Sequence, residues 1–299
     1  SNSKIESLDD STIVFYKDVC KVIHAIDNRL ELRGRDSLGL SILVNSYDFQ
    51  QNIKDFPLDD LTKETYYLYN NSKYQTHTFT FKTCNSIGAL GDNAKEIKNL
   101  LNKNKFFNKL IQHGDIKSAT IMAHTRWASV GSVKIQNAHP TSLINNSSDN
   151  RNQTLALLNG DIYNYKEIIN DAKKDNEKLI SESQCTNDSL AIPAYLLNNT
   201  NLNLKSAAKM ASDFSGSFAI SIQHTANSEN ITLLKKGIQG LYLGFSYDGM
   251  MFASDVYGLV ESCRYFMPVE SDTAMNISSS KCSSVDNIYL EIMNHKSGD

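Results

Sequence analysis

The sequence predicts an α+β fold in which layered antiparallel sheets are covered by helices. Four short apolar runs follow one another closely between residues 216 and 254, and glycines stand in the turns that separate them. Such close spacing is typical of antiparallel strands joined by tight turns. Helical patterns stand at both ends of the groups of strands and between them. Because a sheet buries its apolar face against another layer, this order predicts sheets faced by helices.

The first half of the chain is predicted to begin with a helix. Apolar residues recur at helical spacing over residues 15–30, and a polar turn then leads into an apolar strand at 38–44. Residues 45–78 are polar and without a clear period, which predicts an insertion on the surface. A second helical pattern covers residues 93–112.

The second half is predicted to alternate between strands and helices. An apolar strand at 153–158 ends at the pair Asn159-Gly160, and Pro193 must lie in the first turns of a later helix or kink it. The predicted helices cover 164–174, 188–197 and 204–214, and the predicted strands cover 216–223, 231–235, 241–245 and 251–254.

Composition excludes several classes of function. The 299 residues include 30 basic and 33 acidic ones, and no basic block indicates nucleic-acid or membrane binding. The start is polar, unlike a signal peptide, and no apolar run is long enough to span a bilayer. Five scattered cysteines and seven unclustered histidines predict neither a disulfide framework nor a zinc site. We therefore expect a cytoplasmic protein without a metal or another cofactor.

The clearest candidate for a binding site follows the apolar run at 119–122. Arg126 and Trp127, the only tryptophan, stand where this predicted strand ends. The forked guanidinium of an arginine suits a carboxylate, and an indole can cover a pocket.

Seven short pieces of the chain resemble the glutaminase domain of class-II glutamine amidotransferases, and most closely that of glucosamine-6-phosphate synthase. They occur in the family's order over roughly residues 18–292, and each of them alone is weak evidence. The pieces lie at 32–40 (LRGRDSLGL), 123–131 (AHTRWASVG), 137–140 (NAHP), 158–165 (LNGDIYNY), 186–189 (TNDS), 216–219 (GSFA) and 252–255 (FASD).

The resemblance implies a four-layer αββα N-terminal-nucleophile hydrolase fold, with two antiparallel sheets between helical layers. Residues 1–299 would form one such domain, and the sugar-phosphate isomerase domain would lie outside this chain. In the family an N-terminal cysteine attacks the glutamine side chain, ammonia leaves, and water releases glutamate. The implied partners are glutamine, the isomerase domain and a second copy in a homodimer.

The resemblance also implies roles for four residues. Arg126 would hold the α-carboxylate of glutamine, and Asp188 its α-ammonium. Asn159 and Gly160 would form the oxyanion hole, where each donor is worth roughly 2.7–4 kcal/mol. The alternatives are an arginine at a strand edge, an aspartate N-cap and an Asn-Gly hairpin turn. Asn187 takes the place of Asp188 if the alignment shifts by one residue.

Three further residues stand at positions of the family's site. Arg33 would hold the nucleophile end of the site, with a solvated turn arginine as the alternative. Trp127 would gate ammonia at the inner end of the pocket, and core packing is its alternative. Ser129 stands where the family has a threonine beside the substrate carboxylate.

The chain departs from the family at the nucleophile. Counting back from Arg33 by the family's spacing leads near Leu8, where the chain has no cysteine. Ser1 has a hydroxyl and an amine, but its polar neighbours do not predict a buried strand. Val130 and Leu158 replace family histidines. Two hypotheses follow: a glutaminase whose cysteine lies outside this chain, or an amino-acid-sensing or scaffolding domain that has lost catalysis.

Overall fold

The computed structural model describes residues 10–296 except 48–64, 71–73, 85–88, 114–115, 128–131, 146–150, 199–201, 248 and 280–287. The described residues form thirteen strands and six α-helices. The strands are β1 (Ser37–Ser46), β2 (Tyr66–Asn70), β3 (Gln75–Thr83), β4 (Ile116–Arg126), β5 (Thr141–Asn145), β6 (Asn152–Ile162), β7 (Gly216–His224), β8 (Asn230–Lys236), β9 (Tyr242–Phe245), β10 (Met250–Ala253), β11 (Tyr265–Pro268), β12 (Thr273–Ser279) and β13 (Ile288–Asn294). The helices are α1 (Asp10–Ala25), α2 (Asp92–Lys103), α3 (Lys105–His113), α4 (Tyr165–Glu182), α5 (Ala191–Asn198) and α6 (Leu204–Asp213).

The first sheet has four antiparallel strands in the order β2-β3-β1-β4. Its apolar side chains alternate along β1, so that Leu40 and Ile42 face a layer made of α1, α2 and α3. Phe15 and Val19 of α1 are buried in this layer. The predicted helix at 15–30 is confirmed, although it begins at Asp10 and ends in a π-turn at Ile26–Leu30.

Two predicted elements need correction in the first half. The predicted helix at 93–112 is two helices, because Asn104 ends α2 and accepts a hydrogen bond from the backbone N–H of Phe107 in α3 at 2.8 Å. The surface insertion predicted at 45–78 is wrong where the structure describes it, since β2 and the start of β3 pair in the first sheet. Thr76 and His77 are fully buried there. Tyrosine and threonine are common in strands, and here the polar face of the strand is covered by other parts of the protein. Because these residues are polar, the sequence pattern did not indicate a buried strand.

The second sheet has six antiparallel strands in the order β13-β12-β8-β7-β6-β5. Helices α5 and α6 cover one of its faces, where Met210 and Phe214 meet Phe218 and Ile220. The predicted helix at 164–174 is α4, which continues to Glu182. Pro193 lies in the first turn of α5, where a missing backbone N–H costs nothing.

The two sheets stack between the helical layers, which confirms the predicted four-layer αββα sandwich. Met122 of the first sheet packs with Leu155 and Leu233 of the second. Polar groups cross the same interface: Ser41 Oγ donates to Gln223 Oε1 at 2.8 Å, and Gln223 Nε2 donates to the Thr120 carbonyl at 2.9 Å.

A third sheet has the order β10-β9-β11. Leu241 and Leu243 of its central region join the core between the two larger sheets. None of the helices described here is both long and apolar enough to cross a membrane.

Candidate functional site

A cavity of about 380 Å³ lies between the end of β4 and the second half of β6. This volume is within the range of pockets that hold small molecules. The structure brings five of the predicted site residues into its wall: Arg126, Trp127, Asn159, Gly160 and Asp188.

Arg126 is the last residue of β4 and is only 5% exposed. Its backbone carbonyl accepts a hydrogen bond from the Asp36 N–H at 3.1 Å, which ties the end of β4 to the start of β1. Burial lowers the pKa values of His124 and His139, and the positive charge of Arg126 lowers them further. Burial raises the pKa of the Cys84 thiol, and the charge of Arg126 opposes that rise. A buried cation of this kind suits an anionic ligand group.

Trp127 follows Arg126 at the rim of the cavity and is 71% exposed. This exposure contradicts the alternative that Trp127 packs in the core. Its indole lies at the boundary between the cavity and solvent, and not at the inner end of the pocket, where the resemblance placed it.

Asn159 and Gly160 lie inside β6 and pair with Ala219 and Phe218 of β7. The hairpin-turn alternative for this Asn-Gly pair is therefore wrong. Gly160 has φ +109°, and a Cβ there would lie 2.1 Å from the Ser217 carbonyl oxygen, so only glycine fits. The side-chain Nδ2 of Asn159 is buried and has no hydrogen-bond partner among the described residues.

The edge of β6 that carries Gly160 is open beyond Ala156, because β5 pairs with β6 only up to that residue. Backbone groups of a strand alternate between its two edges. The Ile162 N–H on this edge donates to Asp188 Oδ2 at 2.9 Å.

Asp188 is 7% exposed and begins the 3₁₀ turn Asp188–Leu190. Burial raises the pKa of its carboxyl group, and the neighbouring carboxylate of Asp161 raises it further. Hydrogen bonds from the backbone N–H groups of Ile162, Asp188 and Ser189 act in the opposite direction. A buried carboxylate that keeps its charge through such bonds suits an ammonium group.

Asn187, the alternative to Asp188, has its side-chain amide engaged inside the protein. Its Nδ2 donates to the Asn137 carbonyl at 3.0 Å, and its Oδ1 accepts from Ser189 Oγ at 2.7 Å and from Cys185 Sγ at 2.9 Å. These bonds join the segment around residue 137 to the turn at Asp188. They favour a structural role for Asn187.

Two predicted site residues are described only in part or not at all. Arg33 ends the 3₁₀ turn Glu31–Arg33, and its side chain lies outside the described atoms. The next residue, Gly34, packs so closely that a Cβ there would lie 2.6 Å from the Arg126 carbonyl carbon, which puts the Arg33 backbone near the site. Ser129 lies outside the described residues.

His124 and His139 form a histidine pair in the cavity wall that the residue roles inferred from the sequence did not include. Their Nδ1 atoms are 3.0 Å apart, and the rings meet edge to face. Burial lowers the pKa of His124 to about 4 and lowers the pKa of His139 well below its usual value. One feature of the sequence could have revealed His124 as a site residue: it stands two residues before Arg126, and residues at this spacing lie on the same face of a strand.

The described part of the cavity wall contains hydroxyl groups but no thiol. Thr125, Ser221 and Ser254 line it. Burial raises the pKa of Cys185, whose thiol donates to Asn187, so this cysteine is no reactive thiolate. No group of metal-ligating side chains occurs among the described residues. The arrangement offers a cation, a carboxylate and neutral donors for one polar ligand.

A second cavity, of about 210 Å³, lies between β4 and β10 and shares wall residues with the first. Within the described chain, β4 pairs only with β1 and β10 only with β9. Each of these strands therefore has one edge without a strand partner, and residues of both strands line the second cavity. Phe15 and Val22 of α1 cover it from one side, and Ile231 and Ile277 from another.

Comparison with known proteins shows the family. A family model described as a glutamine amidotransferase domain matches residues 112–298. Glutamine–fructose-6-phosphate aminotransferase (isomerizing) of Helicobacter pylori is 28% identical over 172 residues, which are 56% of this chain and 26% of that protein. The protein of the same name from Synechocystis is 28% identical over 188 residues, 59% of this chain and 28% of that protein. The matches thus span about a quarter of the length of these relatives.

Two solved structures share the fold at low sequence identity. One is titled as the allosteric regulatory enzyme of purine biosynthesis, with a TM-score of 0.55, 16% identity, and 91% of this chain and 45% of that chain covered. The other is glutamine phosphoribosylpyrophosphate amidotransferase from B. subtilis with ADP and GMP, with a TM-score of 0.52, 16% identity, and coverage of 90% and 45%. The resemblance found in the sequence and the predicted fold are both confirmed.

Proposed function

The chain belongs to the glutamine amidotransferase domain family of class II, and on that premise we propose that its cavity binds L-glutamine as the glutaminase site of a glucosamine-6-phosphate synthase-like enzyme. The enzyme would hydrolyse glutamine to glutamate. The ammonia released would aminate fructose 6-phosphate on a separate sugar-phosphate isomerase domain. That domain as a partner, and a homodimer, stay predictions.

One observation carries this proposal: two buried groups of opposite charge, Arg126 and Asp188, line the same cavity. A free α-amino acid carries a carboxylate and an ammonium on one carbon and needs such a pair of partners. Charge-assisted hydrogen bonds of this type are worth about 1.5–3 kcal/mol each. The buried donor of Asn159 and the N–H of Gly160 then supply neutral hydrogen bonds for the side-chain carbonyl oxygen.

The geometry supports a division of labour during hydrolysis. Arg126 and Asp188 would fix the amino-acid head, so that the carboxamide carbon stands at one place in the cavity. When a nucleophile adds to that carbon, negative charge develops on its oxygen. Asn159 Nδ2 and the Gly160 N–H are held by β6 before the reaction, and such fixed donors stabilise the charge.

The nucleophile would come from outside the described cavity wall. The resemblance implies a cysteine at the start of a short strand, which would attack the carboxamide and release ammonia to leave a thioester. The open edges of β4 and β10 support the space between them as the place for such a strand. That space adjoins the glutamine cavity through shared wall residues such as Ala123 and Phe252.

A second candidate function is amino-acid binding without turnover. It is favoured by the lack of a thiol among the described wall residues. In that case the domain would sense glutamine or act as a scaffold for an isomerase partner.

Calorimetric titration of the chain with L-glutamine, followed by an assay of glutamate release, tests both candidates. D-glutamine is the matched control, because it has the same groups in the mirror-image arrangement. Binding of the L form together with glutamate release by the full-length natural protein supports the glutaminase. Binding without release by that protein supports the second candidate. Absence of stereoselective binding contradicts both.

A further inference from the structure

The turn between β8 and β9 contributes to the wall of the proposed glutamine cavity. It covers residues 237–240, and Gln239 and Gly240 line the cavity there, as does Leu241 directly after the turn. None of the site residues predicted from the sequence belongs to this turn. Its polar side chain in the wall, that of Gln239, therefore has no role in the site as described so far.

The backbone of the turn is held on both of its neighbours. The N–H of Gly237 donates to Ser271 Oγ at 2.8 Å, and the N–H of Ile238 donates to Ser217 Oγ at 3.1 Å. Gly237 has φ +76°, a conformation that favours glycine. These contacts fix the two residues directly before Gln239, so the place from which its side chain starts is set before a ligand arrives.

The side chain of Gln239 packs directly on Gly160. A Cβ at Gly160 would lie 2.8 Å from the Cγ of Gln239. Gln239 thus fills the space that a side chain at residue 160 would need. Its amide carbon is bonded to that same Cγ, so the amide group lies next to the Asn159-Gly160 pair.

The amide of Gln239 is available to a ligand. No residue that the structure describes forms a hydrogen bond with this side chain, and Gln239 is half-buried. The amide of Asn187 in the same wall is, by contrast, bonded to the protein at both its oxygen and its nitrogen. A ligand that displaces water from the Gln239 amide must replace the lost hydrogen bonds, because an unpaired amide is costly.

The chemistry of a carboxamide shows which bond is still missing. Its oxygen accepts hydrogen bonds and its NH₂ group donates two. Asn159 and Gly160 are the proposed donors to the oxygen, so they leave the NH₂ group without an acceptor. The Gln239 side-chain oxygen is an acceptor beside the same pair.

We propose that Gln239 is a specificity-determining residue of the glutamine site, whose side-chain oxygen accepts a hydrogen bond from the carboxamide NH₂ group of the ligand. This role rests on the proposed function, because it concerns the same ligand. Strand β6 then recognises the oxygen of the carboxamide, and the turn after β8 recognises the nitrogen that leaves as ammonia.

Calorimetric titrations with L-glutamine and L-norvaline test this contact, since L-norvaline has the amino-acid head and a carbon chain without a carboxamide. Methionine is similar in length to glutamine, and its thioether is only a weak acceptor. For Gln239→Met we expect roughly three- to tenfold weaker binding of L-glutamine, as for the loss of one neutral hydrogen bond. The affinity for L-norvaline should change less than twofold. Equal weakening for both ligands, or none for either, overturns the proposal.

Gln239→Glu distinguishes an acceptor from a donor, because an ionised carboxylate can only accept. At pH 7 this variant should keep the L-glutamine affinity within about threefold of the wild type, whereas like charges should weaken L-glutamate binding roughly tenfold. A loss of L-glutamine binding as large as in Gln239→Met, or an unchanged affinity for L-glutamate, overturns the proposal. This arm also decides the matter if Gln239→Met does not fold.

Ile238→Ala is the matched control, because Ile238 lies in the same turn, is 92% exposed and does not line the cavity. Its affinity for L-glutamine should equal that of the wild type. Weakening as large as in Gln239→Met would mean that any change in the turn disturbs the cavity, and would overturn the role of the Gln239 amide. If the wild-type chain binds no L-glutamine, the proposed function fails and this inference fails with it. If the wild type binds L-glutamine and Gln239→Met binds it equally well, the inference alone fails.

Discussion

The backbone N–H of Ile162 donates a hydrogen bond to the carboxylate of Asp188 at 2.9 Å, and this bond joins the end of β6 to the turn that carries the carboxylate. It places the negative charge proposed for ammonium recognition directly beside the strand that holds Asn159 and Gly160. The bond also leaves a test, because an asparagine at 188 can still accept from Ile162 while it lacks the charge.

Asp188→Asn should weaken binding of L-glutamine by about 1.5–3 kcal/mol, the worth of a hydrogen bond to a charged group. The analogue 4-carbamoylbutanoate lacks the α-amino group, so its affinity should not change. Calorimetric titration of both ligands checks this expectation. If both affinities fall together, Asp188 holds the cavity in shape and does not bind the ammonium.

The same residue predicts a dependence on pH. Because burial raises the pKa of Asp188, its charge is lost at a higher pH than that of an ordinary aspartate as the solution becomes more acid. L-glutamine affinity should therefore be full at neutral pH and should fall as pH drops through that raised pKa. Titrations at successively lower pH from pH 7 measure the dependence, and Asp188→Asn should flatten it. An equally steep curve in the variant would assign the effect to another group.

Arg126→Ala should weaken L-glutamine binding by about 1.5–3 kcal/mol, or roughly 10- to 140-fold in Kd, because a charge-assisted contact to the α-carboxylate is lost. Arg264→Ala is the matched control, since Arg264 contacts Tyr247 outside the cavity. Calorimetry on both variants gives the comparison. An unchanged Kd in Arg126→Ala would remove the proposed role of this residue.

Trp127 offers an optical test, because it is the only tryptophan and lies 71% exposed at the cavity rim. An indole that is covered when a ligand fills the cavity moves into less polar surroundings. We expect L-glutamine to shift the tryptophan emission to shorter wavelength with the same Kd as calorimetry. D-glutamine should leave the emission unchanged, and so should L-glutamine added to Arg126→Ala at the same concentration.

Gly160→Ala should destabilise the fold. The backbone there has φ +109°, and an added Cβ would lie 2.1 Å from the Ser217 carbonyl oxygen. Strained backbone of this type costs about 1–3 kcal/mol before any steric clash is added. Gly249→Ala is the control, because a Cβ at Gly249 meets no atom within 4 Å. Denaturant unfolding of both variants measures the difference, and equal free energies of unfolding would contradict the described strand at Gly160.

The fold should begin to lose stability in mild acid, because four histidines are held neutral in the folded state. Burial lowers the pKa of His77 to about 3, and those of His124 and His224 to about 4, while the pKa of His139 falls well below its usual value. The unfolded chain binds protons near pH 6.5 that the folded chain does not bind. Stability should therefore be full above that pH and fall below it, until each folded pKa is reached.

The slope of that loss is about 1.4 kcal/mol per pH unit for each histidine involved. Denaturant unfolding between pH 7 and pH 5 measures it. His224→Asn should show a shallower slope than the wild type, because one of the four histidines with a lowered pKa is then absent. A free energy of unfolding that is independent of pH in this range would mean that the histidines are accessible to protons.

The sequence predicted the long, regular elements well. The amphipathic pattern of α1 and the apolar runs of β1, β6 and β7 have strong periods, and packing only adjusts their ends. The prediction failed where polar residues are buried between layers. Thr76 and His77 look like surface residues in the sequence, yet β3 buries them against partners that lie far away in the chain.

The site was predictable from short motifs only in part. Arg126, Asp188 and the Asn159-Gly160 pair were found because the family uses those residue types, and the structure brings them to one cavity. His124 and His139 were parts of matched motifs, but nothing in the sequence shows that their Nδ1 atoms lie 3.0 Å apart. Such a contact depends on how the sheets stack, and stacking is a property of the whole core.

The side chain of Gln223 has a consequence for how this site can change over time. Its amide oxygen accepts a hydrogen bond from Ser41, and its amide nitrogen donates one to Thr120. One side chain is therefore bonded to two neighbouring strands of the opposite sheet. A sliding movement between the sheets would leave both ends without partners in a place that water does not reach, which is costly. The distance between the site residues of the two sheets therefore depends on contacts in the interior and hardly at all on the loops. Surface segments can lengthen or shorten around such a frame without moving the groups that meet the ligand.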